Sequence, residues 1–385
     1  MNKFDRKSNE TFDEYCHRIS SVVKFNEDLT WVEVSQIINE EFNLDYSESY
    51  YRKKEKNYTD IHKILNSSND NNIEYLKIAK ERVKLSDERN QINAILRRLA
   101  REDTIKEIAH NAIDKLSTNK QLVYQKPNIQ KNIEKEGLLL LSDWHYGLEI
   151  DNNFNSYNPD IVKYRLNQLL KKVIDKCNLL NISTLHIANL GDMISGNIHL
   201  PLRINSRIDI ITQIIEVSEL LSEFINELSN RYDITYYSVI DNHSRLDANK
   251  KDSIQLESLC RITDWYLKGR LPQINMNEEL FGQDICIATI LGYKIAFVHG
   301  HKDNQSSIIR KLNTFTHEYF DLICSAHYHH FSANEECGTF MIANSSLMGT
   351  DDNAYNLRLH AKPSQTLIEI SETNVVEGIY KLNLD

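Results

Sequence analysis

The chain has 385 residues, of which 41% are hydrophobic and 26% charged, and its formal net charge is −10. That length exceeds one average domain and points to two compact units, and the ordinary composition excludes wholesale disorder or a fibrous repeat. The acidic total argues against a generally basic nucleic-acid coat, although local basic patches and cation-bridged contact with phosphate stay compatible with it.

The opening MNKFDRKSNETFDEY has no apolar signal-like core, and no run approaches the roughly 18 apolar residues of a membrane span. Neither secretion nor a membrane partner is expected. Six cysteines, Cys16, Cys177, Cys260, Cys286, Cys324 and Cys337, lie far apart without a CxxC pair. They read as reduced, buried thiols of a cytoplasmic protein.

In chain order, Trp31, Val34, Ile37, Ile38 and Phe42 recur at spacings of three and four, one apolar face of a helix that Thr30 can cap. A second helix opens at Ser47 and carries Arg52, Lys53, Lys54 and Lys56. The pair reads either as a helix-turn-helix with a basic second helix or as two packed helices with charges facing water. Trp31, Tyr50 and Tyr51 are assigned to packing rather than base stacking. NSSNDNN at 66–72 is a solvated turn.

From Asn72 to Leu116 runs a helical stretch without proline or glycine. Its apolar spacing drifts from a strict heptad, which favours a long antiparallel helical hairpin, or an arm pairing with another subunit, over a regular coiled coil. The polar segment 117–135, with Pro127, breaks the pattern and is taken as a linker. The expected organisation is a helical domain over 1–116, a linker over 117–135 and a second domain over 136–385.

The second domain alternates strand and helix. The run Leu138 to Leu141 ends in SDWHYG; a helix over 159–177 precedes TLHIANL, which stops at Gly191-Asp192; a helix over 208–228 precedes DITYYSVI, which stops at Asp241-Asn242-His243; YKIAFV stops at His299 and FDLICSA at His327. Each apolar strand thus delivers polar residues at its C-terminal end, where ligand sites gather in layered α/β folds. Asp143-x-His145, Gly191-Asp192, Asn242-His243, His299-Gly300-His301 and His327-Tyr328-His329 are each weak signals alone. Five in this order, each after an apolar run, point to a dinuclear metal site. Two cations about 3.5–4 Å apart repel, so a carboxylate has to bridge them while imidazoles and an amide oxygen complete the shells.

The series resembles the signature of the calcineurin-like metallophosphoesterases, D-x-H, G-D, G-N-H, H and G-H-x-H, over somewhat more than half of the chain. The resemblance implies an α/β fold, a four-layered sandwich of two mixed β-sheets flanked by helices, here preceded by an all-α N-terminal domain. It implies that Asp143, His145 and His329 hold one metal, that Asn242, His299 and His327 hold the second, and that Asp192 is shared. His243 would protonate the leaving oxygen as the catalytic residue. The cofactor expected is a pair of divalent ions, manganese first, with iron, zinc or magnesium as alternatives. Ser142, Ser195 and Ser244 are not expected to act as nucleophiles.

Two positions depart from the signature, Asp241 and Ala326, where glycine is usual. Asp241 is expected to adopt a left-handed turn in preference to adding a carboxylate beside the metals. His199, Arg203, Arg207 and Arg245 are candidate substrate contacts, while His301 and His330 are expected beside the ligands. The preferred activity is a phosphodiesterase or nuclease acting on DNA or a nucleotide, with a core similar to the DNA-repair exonucleases of that family and a homodimer through the N-terminal helices. The alternatives are a phosphatase of phosphoprotein or a small nucleotide with a regulatory helical domain, and a DNA-binding scaffold with a decayed site.

Overall fold

The computed structural model describes the chain except residues 1–3, 5, 8–9, 26–28, 67–70, 120, 129–133, 199, 207, 248–252, 278–281, 357, 359 and 385. It divides into two compact units, Met1–Leu99 and Ala100–Asp385. None of the described helices is long and apolar enough to cross a membrane.

The first unit begins with α1 (Phe12–Phe25), α2 (Trp31–Phe42) and α3 (Glu48–Asn66). Thr30 caps α2 as anticipated: its hydroxyl accepts the Glu33 backbone N–H while the Glu33 carboxylate accepts that of Thr30, a reciprocal capping box. Asn43 ends the helix in the left-handed conformation. Tyr15, Cys16 and Ile19 of α1 pack with Val34 and Ile38 of α2 and Tyr51 of α3, with Trp31 against their edge. The basic character of α3 is partly spent within the unit, since Lys54 pairs with Asp13 at 2.6 Å and Arg52 with Glu48 at 3.1 Å. Lys53 and Lys56 stay exposed.

The stretch read as a hairpin or as an arm pairing with another subunit is one unbroken helix, α4 (Asn71–Thr118), 48 residues long, which rules out the hairpin. A hairpin needs a turn, and no residue between its ends supplies one. The division between the units falls inside α4, upstream of the polar stretch 117–135. Within the second unit part of that stretch is tied down: Asn226 donates to the Val123 carbonyl at 2.9 Å and Asn230 accepts the Gln125 N–H at 2.7 Å.

The second unit then runs β1 (Lys135–Leu141), β2 (Ile150–Asn152), β3 (Asn155–Tyr157), α5 (Pro159–Leu179), β4 (Thr184–Asn189), α6 (Leu200–Asn205), α7 (Ile210–Ser229), β5 (Asp233–Ser238), α8 (Cys260–Arg270), β6 (Asn275–Met276), β7 (Ile285–Ile290), β8 (Tyr293–Val298), α9 (Ile308–Thr316), β9 (Leu322–Ser325), β10 (Ser332–Glu336), β11 (Thr339–Ala343), α10 (Asp352–Asn356), β12 (Ser364–Ser371) and β13 (Gly378–Asn383). The described strands form a six-stranded sheet, β13-β12-β1-β4-β5-β6, a five-stranded sheet, β10-β11-β9-β8-β7, and the small hairpin β2-β3. Both large sheets are mixed: β1, β4, β5 and β6 are parallel, β12 pairs antiparallel with both β1 and β13, and β8, β9 and β11 are parallel while β7 and β10 pair antiparallel with β8 and β11.

Strand periodicity sorts the side chains into layers. Along β1, Leu139 and Leu141 join Leu166 and Leu169 of α5 and Val217 and Leu221 of α7. Leu138 and Leu140 point the other way, into a dry layer with Phe297 of β8, Leu322 of β9 and Ile342 of β11. The far face of the second sheet carries Val298, Ile323 and Met341 against Ile308 and Leu312 of α9. The result is helix, sheet, sheet, helix, the four-layered sandwich expected from the resemblance. Five of the six cysteines are buried within these units, and Cys337 is exposed.

Candidate metal centre

The edge where both sheets present their strand ends collects the polar residues. Asp143 and His145 follow β1, Asp192 follows β4, and Asn242 and His243 follow β5; from the second sheet come His299 after β8 and His327 and His329 after β9. Parallel neighbours end at the same level, so their exits converge without any long loop.

Two overlapping groups result, Asp143, His145, Asp192 and His329 in one, and Asp192, His299 and His327 in the other, with the ligand atoms of each within 4.8 Å of one another. Asp192 belongs to both. Asn242 adjoins the second, its Oδ1 2.9 Å from His299 Nε2. In the first, His145 Nε2 and His329 Nε2 face each other at 3.1 Å, and Asp143 Oδ1 lies 3.5 Å from His329 Nε2. Asp192 Oδ2 is 3.1 Å from His299 Nε2 and 3.9 Å from His145 Nε2. Ligand atoms sharing one cation at about 2.0–2.2 Å stand roughly 3–3.5 Å apart, which is the spacing of the tightest of these pairs.

The donor set fits cations on a second ground. Asp143 Oδ1 and Asp192 Oδ2 are buried without a hydrogen-bond partner, as is His327 Nδ1. Leaving an ionised carboxylate unpaired in the interior costs more than burying a neutral polar group, at least several kcal/mol, unless a positive charge meets it. His299 Nδ1 donates to the Leu190 carbonyl at 2.7 Å, so in the neutral ring Nε2 presents a lone pair toward Asn242 Oδ1 and Asp192 Oδ2.

Electrostatics follow the same logic. Burial, reinforced by the neighbouring His243 and His329 rings, holds His145 well below the usual imidazole range against the pull of Asp192. His327 is pushed down to about 4 by burial and then by His299. Burial also lowers His299, but Asp192, with help from Asp143 and Asp241, outweighs it and lifts that ring to about 10. A proton on His299 therefore stands where a cation would neutralise Asp192. Asp143 is raised by burial and by Asp192, while Asp192, also penalised by burial, is brought down by His243, His299 and His145. Unequal carboxylates around a shared set of imidazoles are a mark of functional sites.

The expected left-handed position lies elsewhere in the site. Asp241 does not have a positive φ; five of the candidate ligands do, Asp143 at 52°, His145 at 45°, Asp192 at 52°, His327 at 72° and His329 at 61°. Such conformations cost about 1–3 kcal/mol each and concentrate at functional sites. They turn the chain back on itself just after each strand, so that alternate side chains aim inward. Asp241 instead uses its buried carboxylate as an anchor. Oδ2 accepts the Asp192 N–H at 2.9 Å and the Ser244 hydroxyl at 2.9 Å, and Oδ1 accepts the Ser244 N–H at 2.6 Å. An acidic side chain beside Asp192 thus fixes the shared ligand through its backbone.

Other supports were silent in the sequence. Ser142 donates to Asp143 Oδ2 at 2.7 Å and accepts from Asn344 at 2.9 Å, while Gln365 accepts the Ser142 N–H at 2.8 Å. Gln213 accepts from the Ser195 hydroxyl and the Gly196 N–H, both at 3.1 Å. The three serines set aside as nucleophiles all have their hydroxyls committed in this way. Gly196, with φ 69°, passes so close to the His243 carbonyl that a Cβ there would collide with backbone. None of Gln213, Asn344 and Gln365 belongs to a motif, and only their long-range partners single them out.

His243 Nδ1 donates to the Ser195 carbonyl at 2.8 Å, leaving Nε2 3.7 Å from Asp192 Oδ2. Of the candidate substrate contacts, Arg245 is half-buried and its Nε donates to the Asn242 carbonyl at 2.9 Å. Arg203 is exposed on α6. His199 and Arg207 lie outside the described residues. His301 stands with its ring 5.4 Å from His299 and is pushed down to about 3 by burial and by that ring, and His330 is exposed on the rim.

Comparison with known proteins adds the following. Residues 1–72 match the family described as the YonJ N-terminal domain. The chain is 26% identical over 406 residues to the SPbeta prophage-derived uncharacterized protein YonJ of Bacillus subtilis (strain 168), covering 98% of this chain and 98% of that protein. Similar solved structures include one described as a novel archaeal phosphodiesterase (14% identity, TM-score 0.35, 64% of this chain and 99% of that chain). Another is the zinc complex of wild-type Vps29 from Entamoeba histolytica (13%, 0.32, 64% and 99%). A third is a predicted phosphoesterase from Streptococcus pneumoniae TIGR4 (12%, 0.27, 65% and 99%).

Proposed function

We propose that this protein is a two-metal phosphoesterase, acting on phosphodiester bonds of DNA or a nucleotide. The observation that carries the reading is the pair of buried carboxylate oxygens, Asp143 Oδ1 and Asp192 Oδ2, that have no hydrogen-bond partner and are ringed by imidazole nitrogens. Asp143, His145 and His329 would hold one ion, Asn242, His299 and His327 the other, and Asp192 both. Divalent cations in such a cluster supply positive charge for phosphoryl oxygens and lower the pKa of water; manganese suits this mixed carboxylate and imidazole set.

The chain's own residues contribute orientation and a proton. His243, its Nδ1–H tied to the Ser195 carbonyl, keeps Nε2 facing the site, where the imidazolium form gives its Nε2 proton to the departing oxygen and is left as the neutral ring. Asn344 through Ser142, and Asp241 through the Asp192 N–H, hold the two carboxylates in place. The nucleic-acid preference is supported by the exposed Lys53 and Lys56 on α3, charges suited to a phosphate backbone.

The test uses the full chain with manganese on bis-p-nitrophenyl phosphate and p-nitrophenyl phosphate, then on supercoiled, linear and single-stranded DNA. Diester turnover with DNA cleavage, lost together with bound metal in Asp192→Asn, is the expected outcome. Monoester turnover without cutting of any DNA would remove the nucleic-acid reading, and full activity in Asp192→Asn would remove the metal site.

A further inference from the structure

Among the described residues, α4 carries a run of exposed apolar side chains. Every residue from 77 to 93 whose side chain is described is exposed, and so are the described residues 95–97 and 99. Yet Ile78, Leu85, Ile92 and Leu99 recur every seven residues and are 44%, 60%, 56% and 50% exposed. A seven-residue interval returns to nearly the same side of a helix, so these four form one stripe. Helical stretches with no packed face are marginal in water, and helices of this kind are normally secured by burying such a stripe.

The residues beside the stripe say what covers it. Three positions after Ile78, Leu85 and Ile92 come Glu81, Glu88 and Ile95, and four positions after them come Arg82, Arg89 and Leu96. One edge of the N-terminal half is therefore acidic and the other basic. A second copy lying parallel across a two-fold axis sets each acidic edge against a basic one, whereas an antiparallel copy sets like against like. The apolar content agrees: Ile92, Ile95, Leu96 and Leu99 make a wide exposed patch at the C-terminal half, which meets its own counterpart in the parallel, in-register arrangement while the charged edges pair. Glu88 also lies 3.9 Å from Lys84 on its own helix, an exposed pair at the limit of contact that competes weakly.

We infer that the α4 stripe from Ile78 to Leu99 is a parallel, in-register self-association surface that joins two copies of this chain. The partner is fixed by the stripe's own symmetry: an acidic and a basic edge on one helix complement an identical helix.

Sedimentation equilibrium of the full chain is expected to give a species of twice the 45.0 kDa chain mass. Leu85→Asp with Ile92→Asp, both at exposed positions, should yield the monomer with bound metal unchanged. Arg82→Glu with Arg89→Glu, and separately Glu81→Arg with Glu88→Arg, should each weaken the dimer about tenfold, and mixing the two variants should restore it. Orientation is read with Cys337→Ser as background, because Cys337 is exposed. Ile78→Cys alone and Leu99→Cys alone should each cross-link to themselves on mild oxidation. A monomer at the highest soluble concentration, or a dimer untouched by the aspartate variants, would overturn the proposal. Cross-linking only in a mixture of the two cysteine variants would overturn the parallel arrangement.

Discussion

Asp241 stands where the resembled signature has glycine, and its three hydrogen bonds give the carboxylate a local role. Gly191 next door, at φ 95°, packs against the Asp241 side chain with no room for a Cβ of its own. Restoring the usual residue, Asp241→Gly, strands two buried backbone N–H groups, each costing about 1–3 kcal/mol. Residues that orient ligands without touching metal are worth about 10–100-fold in affinity. Calorimetric titration of manganese should show a loss in that range for Asp241→Gly, alongside a lower unfolding midpoint. Wild-type affinity in that variant would show the carboxylate to be idle.

At the scale of elements, a second buried carboxylate joins α8 to the sheet. Asp264 accepts from Ser238 at 2.7 Å and from Tyr236 at 3.2 Å, both on β5. Burial pushes it up to about 7 despite those two hydrogen bonds. The unfolded chain releases this proton near pH 4, the folded one only near 7. Between those values the native state binds more protons, so stability falls as pH rises through the window and levels off above it. The ceiling on this contribution is about 4 kcal/mol. Urea unfolding at pH 5 and at pH 7.5 should show the decline in the wild type and a smaller one in Asp264→Asn. An equal decline in both would mean that Asp264 stays ionised.

For the whole molecule, the cluster draws its candidate ligands from both sheets: Asp143, His145, Asp192 and Asn242 from one, and His299, His327 and His329 from the other. A cation there would bind the folded state and not the separated strands, and would be linked to stability by mass action. Free metal at a hundred times its dissociation constant adds about 2.7 kcal/mol, which corresponds to several degrees in the unfolding midpoint. Chelation should lower the midpoint by that amount in the wild type and leave Asp192→Asn unmoved. A midpoint indifferent to chelator would argue that nothing bridges the sheets.

The sequence alone determined much of the second unit, because buried strands ending in polar residues leave a local signature. β8 starts and stops where YKIAFV does, α5 and α7 begin within two residues of their expected starts, and the residues of the metal cluster stand in the pattern itself. Thr30 and Glu33 announced their cap because capping is a matter of neighbouring residues. What only the tertiary structure decided depends on partners far apart in the chain. The role of Asp241 rests on Asp192, 49 positions away, and that of Gln365 on Ser142, 223 away. That α4 runs unbroken was undecidable from spacing, because residues 72–116 suit either one helix or two, and only chain continuity in space distinguishes them. Left-handed turns at Asp143, His145, Asp192, His327 and His329 were likewise hidden, since their strain is sustained by the packed sheets around them and by no property of those residues alone.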